Sequence, residues 1–163
     1  MEYKNDISIL FVCLGNICRS PSAEGIMKQL VRNSGLESRI TIDSAGIIGV
    51  HHGEPADSRM RQHALRRGYT LSSISRPVVD IDFEEFDYII GMDFNNIADL
   101  KTRAKTDEHR AKIHAMCQWC TAHDRQEVPD PYYGGSDGFE LVIDILEDAC
   151  KNLLDELKKK LPH

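Results

Sequence analysis

Nowhere in its 163 residues does the chain hold the uninterrupted apolar run of about eighteen residues that a membrane helix needs. The early stretch Ile7 to Leu14 is broken at Ser8 and soon meets Gly15-Asn16, and no basic, apolar leader precedes it. These absences leave no candidate membrane-spanning helix and make the cytoplasm the expected compartment. An excess of basic charge is missing too: 20 Lys and Arg stand against 26 Asp and Glu, a net charge of −6, which excludes a coat for nucleic acid. An anionic ligand must therefore be bound locally. The five cysteines, at 13, 18, 117, 120 and 150, are an odd set in a chain long enough to hold a core without disulfides. They read as reduced thiols, and the question becomes which one is reactive. No repeat, low-complexity tract or Pro/Ser-rich linker divides the chain, so residues 1–163 read as one domain.

What is present is an alternation of short apolar runs and helical periodicities, the pattern of an α/β protein with a parallel sheet. Ile7 to Cys13 is β-branched and almost entirely apolar, as a central strand covered on both faces should be. Ser20-Pro21 marks a helix start, Ala23, Ile26, Met27, Leu30 and Val31 recur at helical spacing, and Gly35 ends the helix. A second strand is expected over Arg39 to Asp43, with Ser44 to Gly53 as a Gly-rich loop. A helix from Ala56, apolar at Met60, Ala64 and Leu65, stops at Gly68, and its arginines 59, 61, 66 and 67 read as a solvated face. Phe86 to Met92 is the third strand, Asp93 a helix cap, and Lys112 to Cys117 the fourth strand. A long loop then leads to a final helix from Phe139 to Lys158-Lys159-Lys160, whose lysines suit the negative end of the helix dipole.

The segment Cys13-Leu14-Gly15-Asn16-Ile17-Cys18-Arg19-Ser20 lies between a buried strand and a helix start. Ligands collect at the carboxyl ends of parallel strands, and a helix N-terminus offers unpaired N–H groups and positive potential to a phosphate. Gly15 and Asn16 tolerate positive φ, so the loop can curl into a nest of inward amides. Arg19 adds a planar fork for two phosphoryl oxygens, while Cys13 lies five residues before it, placed for the sulfur to sit beneath the phosphorus. A thiol of ordinary pKa about 8.5 can fall by several units beside an arginine at a helix N-terminus, which would make it a nucleophile. Ser20 can cap the helix or donate to that sulfur.

Cleavage of an aryl phosphate also needs an acid for the departing oxygen. Asp130, held between Pro129 and Pro131 and followed by Tyr132 and Tyr133, is the candidate. Only a parallel sheet, which gathers its loops at one edge, can bring it to a cysteine more than a hundred residues away.

Together VCLGNICRSPSAEG (12–25) and VPDPYYGG (128–135) resemble the low-molecular-weight protein tyrosine phosphatases. Asp43-Ser44-Ala45-Gly46, Arg76, Phe86-Asp87-Tyr88-Ile89, Met92-Asp93 with Asn96, and Gly138-Phe139-Glu140 extend the likeness along nearly the whole chain. The resemblance implies a flavodoxin-like, four-stranded parallel sheet with helices on both faces. It implies Cys13 as nucleophile, Arg19 as phosphate and transition-state ligand, Asp130 as general acid and base, and the loop Leu14, Gly15, Asn16, Ile17 and Cys18 as the phosphate cradle. Ser20 and Ser44 would support it, with Asn16 holding the loop. Val50, Tyr132 and Tyr133 would line the substrate entrance, although many relatives have an aromatic residue at the position of Val50, and threonine at that of Ile47. Implied partners are tyrosine-phosphorylated proteins, with inorganic phosphate or vanadate as ligand, and no cofactor, metal, nucleic acid or membrane. Cys18 would form a reversible disulfide with Cys13 under peroxide.

Other chemistries fit less well. Arsenate reduction would need a relay of cysteines where this chain has Met92-Asp93, and protein arginine phosphatases typically carry threonine at the position of Ile17. His114, Cys117, Cys120 and His123 include zinc-ligand types but lie within ten residues, too close for the usual two-pair arrangement. A phosphate-binding protein without turnover would keep the loop and dispense with the acid. His51-His52 reads as a solvated pair and Trp119 as a packing residue.

Overall fold

The computed structural model describes residues 6–131 and 135–161. Four parallel strands, β1 (Ile7–Cys13), β2 (Ile40–Gly46), β3 (Tyr88–Gly91) and β4 (Ile113–Ala115), lie in the order β2-β1-β3-β4. This is the flavodoxin-like doubly wound order, in which the crevice opens where the chain reverses direction, between β1 and β3. Helices α1 (Arg19–Asn33), α2 (Ser58–Arg66), α3 (Asp82–Glu85), α4 (Phe94–Arg103), α5 (Asp107–Ala111) and α6 (Ser136–Lys160) flank the sheet.

Alternation along β1 divides the core. Ile9, Phe11 and Cys13 join a large apolar cluster with Ile26 and Met27 of α1 and Ile143, Leu146 and Leu153 of α6. Leu10 and Val12 face the other way, toward Val78, Phe83, Phe86, Ile89 and Leu100. Because β1 is covered on both faces, its carboxyl end is a rigid base for the loop that follows.

The second strand runs past the expected Asp43, because parallel pairing with β1 continues to Cys13 opposite Gly46. Its last residues, Ser44, Ala45 and Gly46, are small and look loop-like, yet Ser44 and Ala45 are buried beneath neighbouring segments. A β-carbon on Gly46 would lie 2.9 Å from the Ile48 carbonyl oxygen and 3.0 Å from that of Leu14, so backbone itself would have to move. Gly46→Ala is therefore expected to cost about 1–3 kcal/mol, a fall in melting temperature of roughly 2–12 °C for a chain of this size. Differential scanning calorimetry checks it.

Other boundaries shift for similar local reasons. The first helix begins at Arg19 with Cys18 at its cap position and no side-chain cap, so Ser20 lies inside the helix. Asp57 caps α2 by accepting from the amides of Arg59 and Met60. On that helix Leu65 is exposed and His63 takes the buried place against Glu140 and Phe139. Arg67 is likewise not simply solvated, since it pairs with Glu140, Asp144 and Glu147 and ties the end of α2 to α6. The last helix starts at Ser136, before Phe139, and its Lys160 donates to the Tyr88 hydroxyl at 2.7 Å. The short helices α3 and α5 were not expected from periodicity, because one or two turns carry too little of it. The fourth strand keeps to Ile113–Ala115, after which Met116–Trp119 winds as a 3-10 turn.

Candidate active site

The loop from Cys13 to Arg19 is held from outside by its carbonyls. Ile47 N–H donates to the Cys13 oxygen at 2.9 Å, Ile48 N–H to Leu14 at 3.0 Å, and Asp57 N–H to Ile17 at 2.8 Å. The Ser75 hydroxyl donates to the Gly15 oxygen at 3.1 Å, and the Ser22 hydroxyl to that of Cys18 at 2.6 Å. In a trans peptide the N–H points away from the carbonyl of the same unit, and the described residues contain no cis bond. The amides of Leu14, Gly15, Asn16, Cys18 and Arg19 consequently turn to the inner side of the curl.

Only Asn16 uses positive φ, at 58°. Gly15 serves a different purpose: its missing β-carbon makes room for the His51 ring, whose Cδ2 would otherwise stand 3.0 Å away. The Asn16 side chain repays its backbone strain with three hydrogen bonds. Its Nδ2 donates to Ser20 Oγ at 2.8 Å and to Ser44 Oγ at 3.0 Å, and its Oδ1 accepts from the Arg76 amide at 3.1 Å. Ser44 passes its own hydrogen to the buried Glu24 carboxylate at 2.5 Å, and Lys28 pairs with Glu24 from the solvent side. Asn16→Ala should remove this lock, leaving a left-handed residue that costs about 1–2 kcal/mol and several bonds worth about 1 kcal/mol each. The expected outcome is a lower kcat together with a lower melting temperature, measured side by side.

Ser20 Oγ accepts from Asn16, so its single hydrogen is left for another acceptor. Cys13 Sγ lies at 3.0 Å and the Ala45 carbonyl at 3.4 Å. From inside the helix Ser20 therefore bridges Asn16, the Cys13 sulfur and the Ala45 carbonyl, and it does not cap α1.

Arg19 is 3% exposed and anchored from behind. Its Nη1 donates to Asp93 Oδ2 at 2.7 Å and to the Val128 carbonyl at 3.1 Å, while Nη2 lies 3.6 Å from Asp130 Oδ2. Burial works against the cation, but the Cys13 sulfur and Asp93 outweigh it and hold the guanidinium pKa above its ordinary value. Asp93 has two tasks, since its Oδ1 accepts from the Asn96 amide at 2.8 Å and caps α4. Val128 is aligned by its own amide, which donates to the Met92 carbonyl at 2.8 Å at the end of β3. Two residues later the chain presents Asp130 at the mouth of the curl.

Cys13, Leu14, Gly15, Ile17, Cys18, Arg19, Ile48, Val50, His51 and Asp130 enclose a cavity of about 130 Å³. Val50 is exposed on the cavity's rim. Tyr132 and Tyr133 lie outside the described residues. Burial, then Asp57 and Cys13, push the Cys18 thiol up, so it carries its proton. His51, expected as a solvated residue, instead lines the cavity with Nδ1 on Glu54 at 2.6 Å, whereas His52 is exposed. The sequence reading also missed Glu24 and the second task of Asp93, because a buried carboxylate and a cap look the same as surface acids in a string. No group of three metal-ligating side chains occurs among the described residues. His114 packs between Tyr88 and Trp119, and Trp119 is buried as a packing residue.

The family profile described as low molecular weight phosphotyrosine protein phosphatase matches residues 8–163. The low molecular weight protein-tyrosine-phosphatase YfkJ of Bacillus subtilis is 41% identical over 157 residues, spanning 94% of this chain and 97% of its own. A crystal structure of a protein tyrosine phosphatase from Entamoeba histolytica, with Hepes in the active site, superposes with a TM-score of 0.92 at 51% identity, covering 94% of this chain and 98% of that one. The Drosophila arginine phosphatase DARP superposes with a TM-score of 0.86 at 31% identity over 92% of this chain and 97% of its own. With the match running almost from end to end and the cysteine loop, its arginine and the Asp-Pro segment converging on one cavity, the chain belongs to the low molecular weight phosphotyrosine protein phosphatases, a family of hydrolases.

Proposed function

We propose that this protein hydrolyses phosphotyrosine in proteins, and aryl phosphates generally, through a phosphocysteine on Cys13 with Asp130 as general acid and then base. One observation carries the reading: Cys13 lines the same cavity as Arg19 and Asp130, with Ser20 Oγ 3.0 Å from its sulfur. The phosphoryl oxygens would occupy the ring of inward amides and the Arg19 fork. The Cys13 thiolate attacks phosphorus, the P–O bond to the phenol breaks, and the Asp130 proton moves to the departing oxygen. As the sulfur becomes bonded its charge passes to the phosphoryl group, which the amides and guanidinium already face. Water then attacks phosphorus, Asp130 takes its proton, and the thiolate leaves under the Ser20 hydroxyl, releasing inorganic phosphate. Vanadate should occupy the same cradle. Amides and guanidinium supply the positive field, so the cycle as written uses no metal or cofactor.

The rim supports an aromatic substrate. Leu14, Ile48 and Val50 are exposed apolar side chains beside the cavity, where a phenyl ring would rest. Under peroxide the oxidised Cys13 sulfur would be captured by Cys18, whose thiol lines the same cavity. A thiol nucleophile of this kind suits the reducing cytoplasm.

The test is a substrate panel in the presence of chelator. Phosphotyrosine peptide and p-nitrophenyl phosphate should turn over, with phosphoserine and phosphoarginine slow; faster turnover of phosphoarginine would overturn the tyrosine assignment. Asp130→Ala should lower kcat by about 10²–10⁴-fold on phosphotyrosine, the usual span for a lost proton donor. The loss should be smaller on p-nitrophenyl phosphate, whose leaving group needs less help. An equal loss on both would remove Asp130 from the acid role.

A further inference from the structure

The 3-10 turn that follows β4 carries a feature the active site does not use. Cys117 is its second residue and Cys120 follows its end, with the Cys120 amide donating to the Cys117 carbonyl at 3.1 Å. In such a turn side chains three apart eclipse, and three steps of about 2 Å set their Cα atoms about 6 Å apart. That separation falls in the range of roughly 4.4–6.8 Å that a disulfide spans. Both cysteines are free thiols. Cys117 is buried, Cys120 is half-buried, and Trp119, the only tryptophan, lies between them in the chain.

We propose that Cys117 and Cys120 form an oxidisable dithiol, separate from Cys13 and Cys18, which a small disulfide such as oxidised glutathione converts to an intrachain bridge. Cys120 beside it, with Arg125 nearby, holds the Cys117 thiol below its ordinary value, while Cys117 and burial push that of Cys120 up, so Cys117 is the first to react. Its thiolate attacks one sulfur of oxidised glutathione, breaking that S–S bond and releasing one glutathione thiolate. Cys120 then loses its proton to solvent and attacks the Cys117 sulfur, releasing the second. Two electrons pass from the protein to the glutathione disulfide, and one S–S bond replaces another. A ring this small removes little unfolded-state entropy, so the bridge is a reversible mark rather than a staple. Metal capture does not compete, since the described residues offer no third ligand.

The experiment uses the full chain carrying Cys13→Ser, so that the active-site pair cannot react and the result is independent of the catalytic proposal. After exposure to oxidised glutathione, free thiols are alkylated and peptides mapped by mass. The expected result is a peptide spanning 117–120 that has lost two hydrogens and taken no alkyl group, with Cys18 and Cys150 alkylated. Trp119 fluorescence should fall as the adjacent disulfide quenches it, and recover with dithiothreitol. In Cys120→Ser the reaction should stop at glutathione joined to Cys117. The proposal is overturned if both thiols stay alkylatable in the wild-type chain and in Cys13→Ser, if Cys120 bridges to Cys150 instead, or if the pair retains equimolar zinc through dialysis.

Discussion

Replacing Cys13 by serine will abolish turnover of phosphotyrosine, by about 10⁴–10⁶-fold, the scale on which enzymes lose activity when a nucleophile is removed. A serine hydroxyl is almost isosteric with the thiol, yet it holds its proton at neutral pH and is a far weaker nucleophile and poorer leaving group. The cradle meanwhile survives. The loop amides are oriented by the bonds that Ile47, Ile48, Asp57, Ser75 and Ser22 make to its carbonyls, and Arg19 is anchored by Asp93 and Val128, none of which involves the sulfur. Calorimetry should therefore still record binding of inorganic phosphate in the inactive variant. Retained activity would exclude a phosphocysteine; loss of both activity and binding with an intact fold would show that the sulfur is part of the receptor rather than only its nucleophile.

Arg19→Lys should lower kcat/KM by about 10³-fold, comparable to removing an arginine that neutralises a phosphoryl transition state. Charge is conserved in this change, so the loss measures geometry. A guanidinium can direct one edge to Asp93 and Val128 while its other nitrogens face the phosphoryl group, whereas an ammonium is a single point that cannot serve both. The lysine is expected to stay with Asp93 at the back of the site. Its effect should fall on kcat more than on KM, because charge on the equatorial oxygens grows in the transition state. A variant within a few-fold of wild type would show that the fork is dispensable.

Much of this architecture was legible in the residues because the signals were local and dense. Ile7 to Cys13 is apolar at nearly every position, and only a strand covered on both faces uses such a run; Asp93 and Asn16 carry their conformations in their side-chain types. The end of β2 was not legible, since Ser44-Ala45-Gly46 has little strand propensity and is extended by pairing with β1, a partner some thirty positions away. Likewise Glu24 reads as one more acid on a helix until the fold places it under Ser44. The convergence of Asp130 with Arg19 is of the same kind: a string shows that each exists, and the sheet determines that they meet.

The outward bonds of the loop from Cys13 to Arg19 have a consequence for how this protein tolerates change over generations. The loop is braced by backbone donors from residues 47, 48 and 57 and by the hydroxyls of Ser75 and Ser22, so at 47, 48 and 57 it is the path of the backbone that the loop depends on. Substitutions that preserve that path can accumulate around the rim and retune what docks there. Insertions or deletions in the same stretch would slacken the curl without altering a single residue of the loop itself.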